Sequence, residues 1–175
     1  MNEQSIDERL RLIEDRLEIY NLIASYPPSA DTAADYSTSA VYTEDGVFDR
    51  GESLTGAVGN EAIGAITQSA AHQQAIQGGL AHFTGLPHIE LDGDAAYVTS
   101  YIQILHPDAL ADDRELPNHG SSRGFRIHGV VANRWVLART PDGWKINSRK
   151  LRPLDGSAPA REILEQALAG YRPTR

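Results

Sequence analysis

Apolar residues recur every three to four positions over residues 5–25, where Ile6, Leu10, Ile13, Leu17, Tyr20 and Ala24 form one stripe, widened by Ile19, Leu22 and Ile23. That spacing predicts an amphipathic helix. Ser5 and Glu8 supply an S-x-x-E capping box at its start, which satisfies the first backbone donors. Pro27-Pro28 is expected to stop it, since neither residue donates a backbone hydrogen bond. A second, shorter helix is expected over 32–43, with Asp31 or Thr32 as its cap. Gly46-Val47-Phe48-Asp49 then reads as a first strand, and Gly51 to Gly59 as a turn region with room for one short strand. Residues 60–76 predict a third helix with Ile63, Ile66 and Ala70 on one face, ended by Gly78-Gly79.

From residue 80 the period changes to two. LAHFTGLPHIELD and AAYVTSYIQIL predict two strands joined around Asp92-Gly93-Asp94, a hairpin signal. Residues 106–123 are polar and irregular, a long loop of the kind that serves as a lid or a partner contact. Residues 124–153 carry the clearest β pattern: Val130, Val131, Trp135, Val136 and Leu137 precede Pro141-Asp142-Gly143, and Trp144 and Ile146 follow it. Pro fixes φ, Asp bonds its own backbone and Gly accepts φ > 0, so this is a turn between strands at the centre of a sheet. Ser157 with Pro159 starts a terminal helix that Gly170 closes. Helices segregated from antiparallel strands indicate the α+β class, here a strongly curved sheet wrapped around the N-terminal helices. The chain reads as a single domain over 1–175, with a core at about 8–155.

Charge and composition narrow the function classes. A net charge of −8 over 175 residues argues against non-specific nucleic-acid binding, which needs clustered Lys and Arg. Zero cysteines exclude disulfides, thiol nucleophiles and thiolate metal sites. The charged N-terminus and the lack of a long apolar run fit neither a signal peptide nor a membrane span, so a cytoplasmic location is expected, with no membrane partner. His72, His88, His106 and His119 show no metal-ligand spacing, and no Gly-rich strand–helix turn suggests a nucleotide. No metal and no cofactor are expected. Gly120-Ser121-Ser122-Arg123-Gly124 matches G-x-S-x-G, but it lacks the strand before and helix after that a nucleophile elbow requires.

The element order, the helix end LIASY followed by Asp31, AVYTEDGVFD, GNEAIGAI and above all WVLARTPDGWKINSRKL together resemble the SnoaL-like branch of the nuclear transport factor 2-like superfamily, over roughly residues 8–155. The resemblance implies a cone-shaped α+β barrel with a pocket between sheet and helices, and a homodimer or homotrimer. The family includes dehydratases, dehydrochlorinases, ketosteroid isomerases, polyketide cyclases and non-catalytic proteins, so fold alone does not fix function. Within that superfamily, the sequence resembles hexachlorocyclohexane dehydrochlorinase, scytalone dehydratase and bile-acid 7α-dehydratase. That similarity implies a catalytic Asp–His pair at Asp31 and His82, with Tyr26 in the place of the bile-acid dehydratase tyrosine.

The chemistry of these residue types agrees. An imidazole is the side chain best suited to general-base work near neutrality. A carboxylate on its other nitrogen fixes the tautomer and stabilises the imidazolium, and a phenol can protonate a departing hydroxyl. Such a set runs an elimination or isomerisation on a small hydrophobic or polycyclic molecule. Plainer roles stay open: Asp31 as a helix N-cap, His82 as a hydrogen-bonded sheet histidine, Tyr26 as a core aromatic. A ligand-binding or dimerisation module and a polyketide-type cyclase with Asp49 or Asp31 as base are the alternatives. His128, Asn133, Phe48 and Tyr101 are the expected substrate contacts, and Arg149 lies on a strand that offers one face to the pocket. Asp49 matches the isomerase base position but reads better as an ion-pair partner of Arg50 or Arg152.

Overall fold

The computed structural model describes residues 5–169. The first helix, α1 (Ile6–Ala24), carries the expected capping box: Glu8 N–H donates to Ser5 Oγ and Ser5 N–H to Glu8 Oε2. The face it buries is not the expected one. Asp15, Ile19 and Ile23 are buried, whereas Ile6, Leu10, Ile13, Leu17 and Tyr20 are 39–72% exposed. Two apolar stripes compete on this helix, and polar contacts to the distant hairpin select the shorter one.

Pro27-Pro28 does end α1, but the same residues begin a new helix, α2 (Tyr26–Asp31), at its first positions, where a missing N–H costs nothing. The helix expected over 32–43 is correspondingly shorter. Ala33 takes a positive φ of 53° and breaks the chain before α3 (Asp35–Ala40). The N-cap of α3 is Ala34, so neither Asp31 nor Thr32 caps it. Strand β1 (Tyr42–Asp49) starts before the expected 46, and β2 (Ala57–Val58) is the short strand of the turn region. The expected helix over 60–76 is two, α4 (Asn60–Ile66) and α5 (Ala70–Gln77), the latter capped by Ser69, whose Oγ accepts from His72 N–H. LAHFTGLPHIELD forms β3 (Ala81–Thr84) and β4 (His88–Asp92), interrupted at Gly85-Leu86-Pro87; both pair with the long β5 (Ala95–Pro107). The polar stretch after it is less irregular than expected, folding a ribbon of β6 (Arg114–Leu116) and β7 (Gly120–Ser122).

The hairpin follows as β8 (Phe125–Thr140) and β9 (Gly143–Pro153), and the chain continues to α6 (Ala158–Leu168). The expected stop at Gly170 lies outside the described residues. The main sheet has the order β2-β1-β9-β8-β5-β3, with β4 also on β5, so the hairpin is central as its pattern implied. All pairings are antiparallel except β1 with β9. One face of the sheet closes on the helices over a core that includes Ile19, Ile23, Ile63, Ile102, Trp135 and Ile146. Among the described residues no helix is long and apolar enough to cross a membrane.

The turn of the hairpin is fastened to α1. The Arg139 guanidinium donates to both carboxylate oxygens of Asp15 at 2.7 Å and lies over the Trp144 ring, 4.5 Å from its centroid. Trp144 Nε1–H donates to the same Asp15 carboxylate, and Trp144 N–H to Glu18 Oε1. Gly143 has φ +96°, and a side chain there would run into the Glu18 carboxylate. The left-handed backbone is what calls for glycine at this position, since the Glu18 carboxylate is the end of a flexible side chain that could move aside.

The Arg139 hydrogen bonds hold the Asp15 carboxyl below its ordinary value against the opposing effect of burial. A depressed folded-state value stabilises the fold above the unfolded carboxylate range and is lost as pH falls through the folded one. Denaturant unfolding should therefore show stability declining below about pH 4. Asp15→Asn should cost on the order of 1–3 kcal/mol at neutral pH, because it removes the bidentate carboxylate of Arg139 and leaves only the exposed Asp94, which Nε reaches at 2.9 Å, and should flatten part of the acid loss. Unchanged stability in that variant would contradict this account.

Candidate active-site cavity

Between the concave sheet face and α2–α5 lies a cavity of about 440 Å³, within the range of small-molecule pockets. Its walls are mostly apolar, with Ile63, Ile66, Ile102, Ile104, Val131 and Leu151 among them. Larger polar side chains reach it from separate elements: Tyr26 from α2, Tyr42 from β1, His72 from α5, His82 from β3 and Arg149 from β9, with Arg50 just beyond β1.

Asp31 and His82 meet. Asp31, the last residue of α2, accepts from the backbone N–H of His82 at 3.0 and 3.2 Å, and its Oδ1 lies 2.6 Å from His82 Nδ1. Only 9% of the His82 side chain and 25% of Asp31 are exposed. The backbone bonds fix the carboxylate against the strand, so its position does not depend on the imidazole alone. A carboxylate facing Nδ1 selects the tautomer with the proton on Nδ1, which leaves Nε2 as a lone-pair nitrogen for the cavity. The Tyr26 ring stands edge-on to His82 with centroids 5.7 Å apart. His72 is a neighbour the sequence did not single out, its ring 6.4 Å from His82 and its Nε2 2.8 Å from the Ala30 carbonyl.

The expected substrate contacts divide. Phe48 is on the wall, and His128 is exposed at the mouth, as the extra residue of a bulge where Ile104 pairs Gly129 and Leu105 pairs Ile127. Tyr101 is a correction: Ile102 and Ile104 take the inward positions, so strand alternation turns Tyr101 outward, 47% exposed. Asn133 is a second. It is fully buried and off the cavity wall, with its Oδ1 accepting from Arg149 Nε at 3.0 Å and Nη2 at 2.8 Å.

Arg149 itself was the underestimated residue. It is 0% exposed, and its guanidinium lies 3.8 Å from the Tyr26 ring centroid, 4.0 Å from Trp135 and 4.7 Å from Phe48. The parity of β9 changes where Leu137 pairs Ile146 and Val136 pairs Ser148, which makes Asn147 an extra residue. The bulge turns Arg149 to the side occupied by Trp144 and Ile146. Without it, Arg149 would face outward.

Asp49 is held by Arg152, whose Nη2 and Nη1 reach its two oxygens at 2.6 and 2.9 Å. That pairing keeps the Asp49 carboxyl below its usual range, and a carboxylate so engaged is a weak base. Among the described residues no group of three or more His, Asp or Glu is placed to hold a metal ion.

Nitrogen-15 spectra of the labelled imidazole should show His82 protonated on Nδ1 in its neutral form, and Asp31→Ala should shift the population toward Nε2–H. A neutral Nε2–H tautomer in the native chain would contradict the dyad geometry.

Residues 11–150 match the SnoaL-like domain. An NTF2-like protein with a cystatin-like fold from Novosphingobium aromaticivorans is 33% identical, with 93% of this chain and 99% of that chain covered and a TM-score of 0.81. A point variant of Rv3472, a protein of unknown function from Mycobacterium tuberculosis, superimposes with a TM-score of 0.65 at 22% identity, covering 95% of this chain and 92% of that one. ActVI-ORFA from Streptomyces coelicolor does so with 0.59 at 19%, covering 81% and 98%. These last two speak to the fold alone. No curated protein matches the chain. With the domain matched over most of its length and a relative of the same fold at that identity, the chain belongs to the SnoaL-like family of the NTF2-like superfamily.

Proposed function

We propose that the protein is a cofactor-independent lyase or isomerase that moves a proton at carbon in a small hydrophobic or polycyclic substrate. The observation that carries this reading is the 2.6 Å contact between Asp31 Oδ1 and His82 Nδ1 beside an apolar cavity. In this reading His82 Nε2 takes the proton from a carbon next to an electron-withdrawing group. Asp31 stabilises the imidazolium that forms. In an elimination, the C–H electron pair becomes the new double bond and the leaving hydroxyl departs with a proton from Tyr26, so the net product is an alkene and water. In an isomerisation, the imidazolium returns its proton to another carbon of the same dienolate. General-base catalysis contributes about 10²- to 10⁴-fold. The walls supply water exclusion, which strengthens every charge interaction inside.

The experiment is solvent-deuterium exchange into cyclic β-hydroxy ketones and enones, followed by mass spectrometry. Wild type should label the acidic carbon or form the dehydrated product. His82→Gln should lose at least about 10²-fold of that rate with its circular dichroism unchanged. Full exchange in His82→Gln would overturn the assignment. Absence of any turnover, with ligand binding retained, would leave the ligand-binding module as the correct reading.

The proposal extends to a homodimer or homotrimer. Ile6, Leu10, Ile13, Leu17 and Tyr20 form an exposed apolar stripe along α1, the kind of contiguous patch that single soluble chains rarely leave in water. Sedimentation should find an oligomer, and Leu10→Glu with Leu17→Glu should shift it toward monomer; a wild-type monomer would remove this part of the reading.

A further inference from the structure

The charge of the cavity wall is unbalanced. Arg50 and Arg149 both line it, and no Asp or Glu does among the described residues. Arg149 is completely buried, yet no carboxylate pairs with it among the described residues: Nε and Nη2 share one neutral acceptor, Asn133 Oδ1, and Nη1 has no hydrogen-bond partner there. A buried cation is costly unless paired. The aromatic rings of Tyr26, Trp135 and Phe48 offset part of that, at about 2 kcal/mol where a cation–π contact is desolvated, but none of them supplies a negative charge.

A second buried donor faces the same space. The Tyr42 side chain is 2% exposed on the cavity wall; its oxygen lies near the Arg149 guanidinium without a well-formed hydrogen bond, and its O–H finds no acceptor among the described residues. Burial pushes it up to about 12, with the nearby Arg149 charge pulling the other way. It is therefore a neutral O–H donor at any physiological pH. Arg50 is held below its ordinary value, first by burial, with the like charge of Arg149 adding to the effect. Two guanidiniums of like charge on one cavity wall, together with a buried N–H of Arg149 and the Tyr42 O–H that have no anionic acceptor among the described residues, are satisfied together by one anion.

We infer that the cavity takes a hydrophobic carboxylate, whose two oxygens are received by Arg149 Nη1 and the Tyr42 hydroxyl with Arg50 as the second positive charge. This rests on the proposed proton-transfer reading only for what happens next: a substrate held by its carboxylate among Tyr42, Arg50 and Arg149 presents its apolar body to the walls and His82. A charged hydrogen bond of this kind is worth about 10- to 100-fold in affinity. The same wall selects against neutral molecules of equal size, since they leave the guanidinium buried without an anion. The protein carries a net charge of −8, so the preference comes from the local site and not from long-range attraction.

The test is calorimetric titration with 2-naphthoate and with its neutral isostere 2-naphthamide, both at neutral pH. Naphthoate should bind at least about 10-fold tighter than the amide. Arg149→Met should abolish the preference. Should that variant unfold, Tyr42→Phe carries the test, with naphthoate weakened about 3- to 10-fold and the amide unaffected, and Arg50→Gln should narrow the gap as well. His82→Gln should keep the preference in full, which separates this inference from the catalytic one: a lost turnover with retained naphthoate selectivity condemns neither, and selectivity without turnover in wild type condemns only the catalytic reading. Equal affinity for the two compounds, or binding of neither, overturns the carboxylate site.

Discussion

A guanidinium with no exposed surface ties the concave side of the molecule together. Arg149 comes from the central hairpin, is held in its plane by Asn133 of the adjoining strand, and stacks among Tyr26 of α2, Phe48 of β1 and Trp135 of β8. Trp135 in turn donates through Nε1 to Ser100 on β5. One residue therefore joins a helix to three neighbouring strands, and links the next strand through its tryptophan partner. Arginine suits this place and lysine would not: its planar, weakly hydrated head stacks on rings while its fork still bonds a carboxamide. Removing the charge relieves a desolvation cost but opens a void among three aromatic rings.

The dyad depends on that arrangement at one remove. Pro27 and Pro28 prevent α1 from continuing, yet they fit the first turn of α2, so the chain changes direction without a loop. Tyr26 at the start of α2 is drawn over Arg149, and Asp31 at the end of α2 reaches the edge strand β3. A six-residue helix thus spans from the buried cation to the strand that carries His82. The opposite end of the sheet is secured independently, by Asp15 and Glu18 on the hairpin turn. Cavity and anchor lie at opposite ends of the hairpin, so changes at the Asp15 node should act on stability rather than on the site.

Much of the architecture was legible. Period-two alternation and the Pro141-Asp142-Gly143 turn gave a central hairpin because local turn chemistry and strand propensity agree there. The joint placement of Tyr26, Asp31 and His82 followed from the family resemblance, and the structure brings those three together. The failures also have physical causes. On α1 the longer apolar stripe lost to Asp15, Ile19 and Ile23, because a part-buried ion pair between Asp15 and Arg139, more than a hundred residues further along the chain, turns that face of the helix inward. Tyr101 looked like a pocket aromatic, but strand parity turns it outward. Asn133 has the inward parity, yet Arg149 takes up its carboxamide oxygen.

The sequence by itself determined the elements that rest on local rules: capped and proline-interrupted helices, alternating strands, a glycine where φ must be positive, and an absence of thiols that removes whole classes of chemistry. Only the tertiary structure decided what fills the cavity wall. A single extra residue at Asn147 changes the parity of β9 and carries Arg149 inward. No periodicity in one strand reveals such a bulge, because it exists only as a mismatch of register between two strands. The same holds for Tyr42 and Arg50, ordinary residues in sequence, whose unmatched donor and charge emerge once β1 and β9 lie side by side.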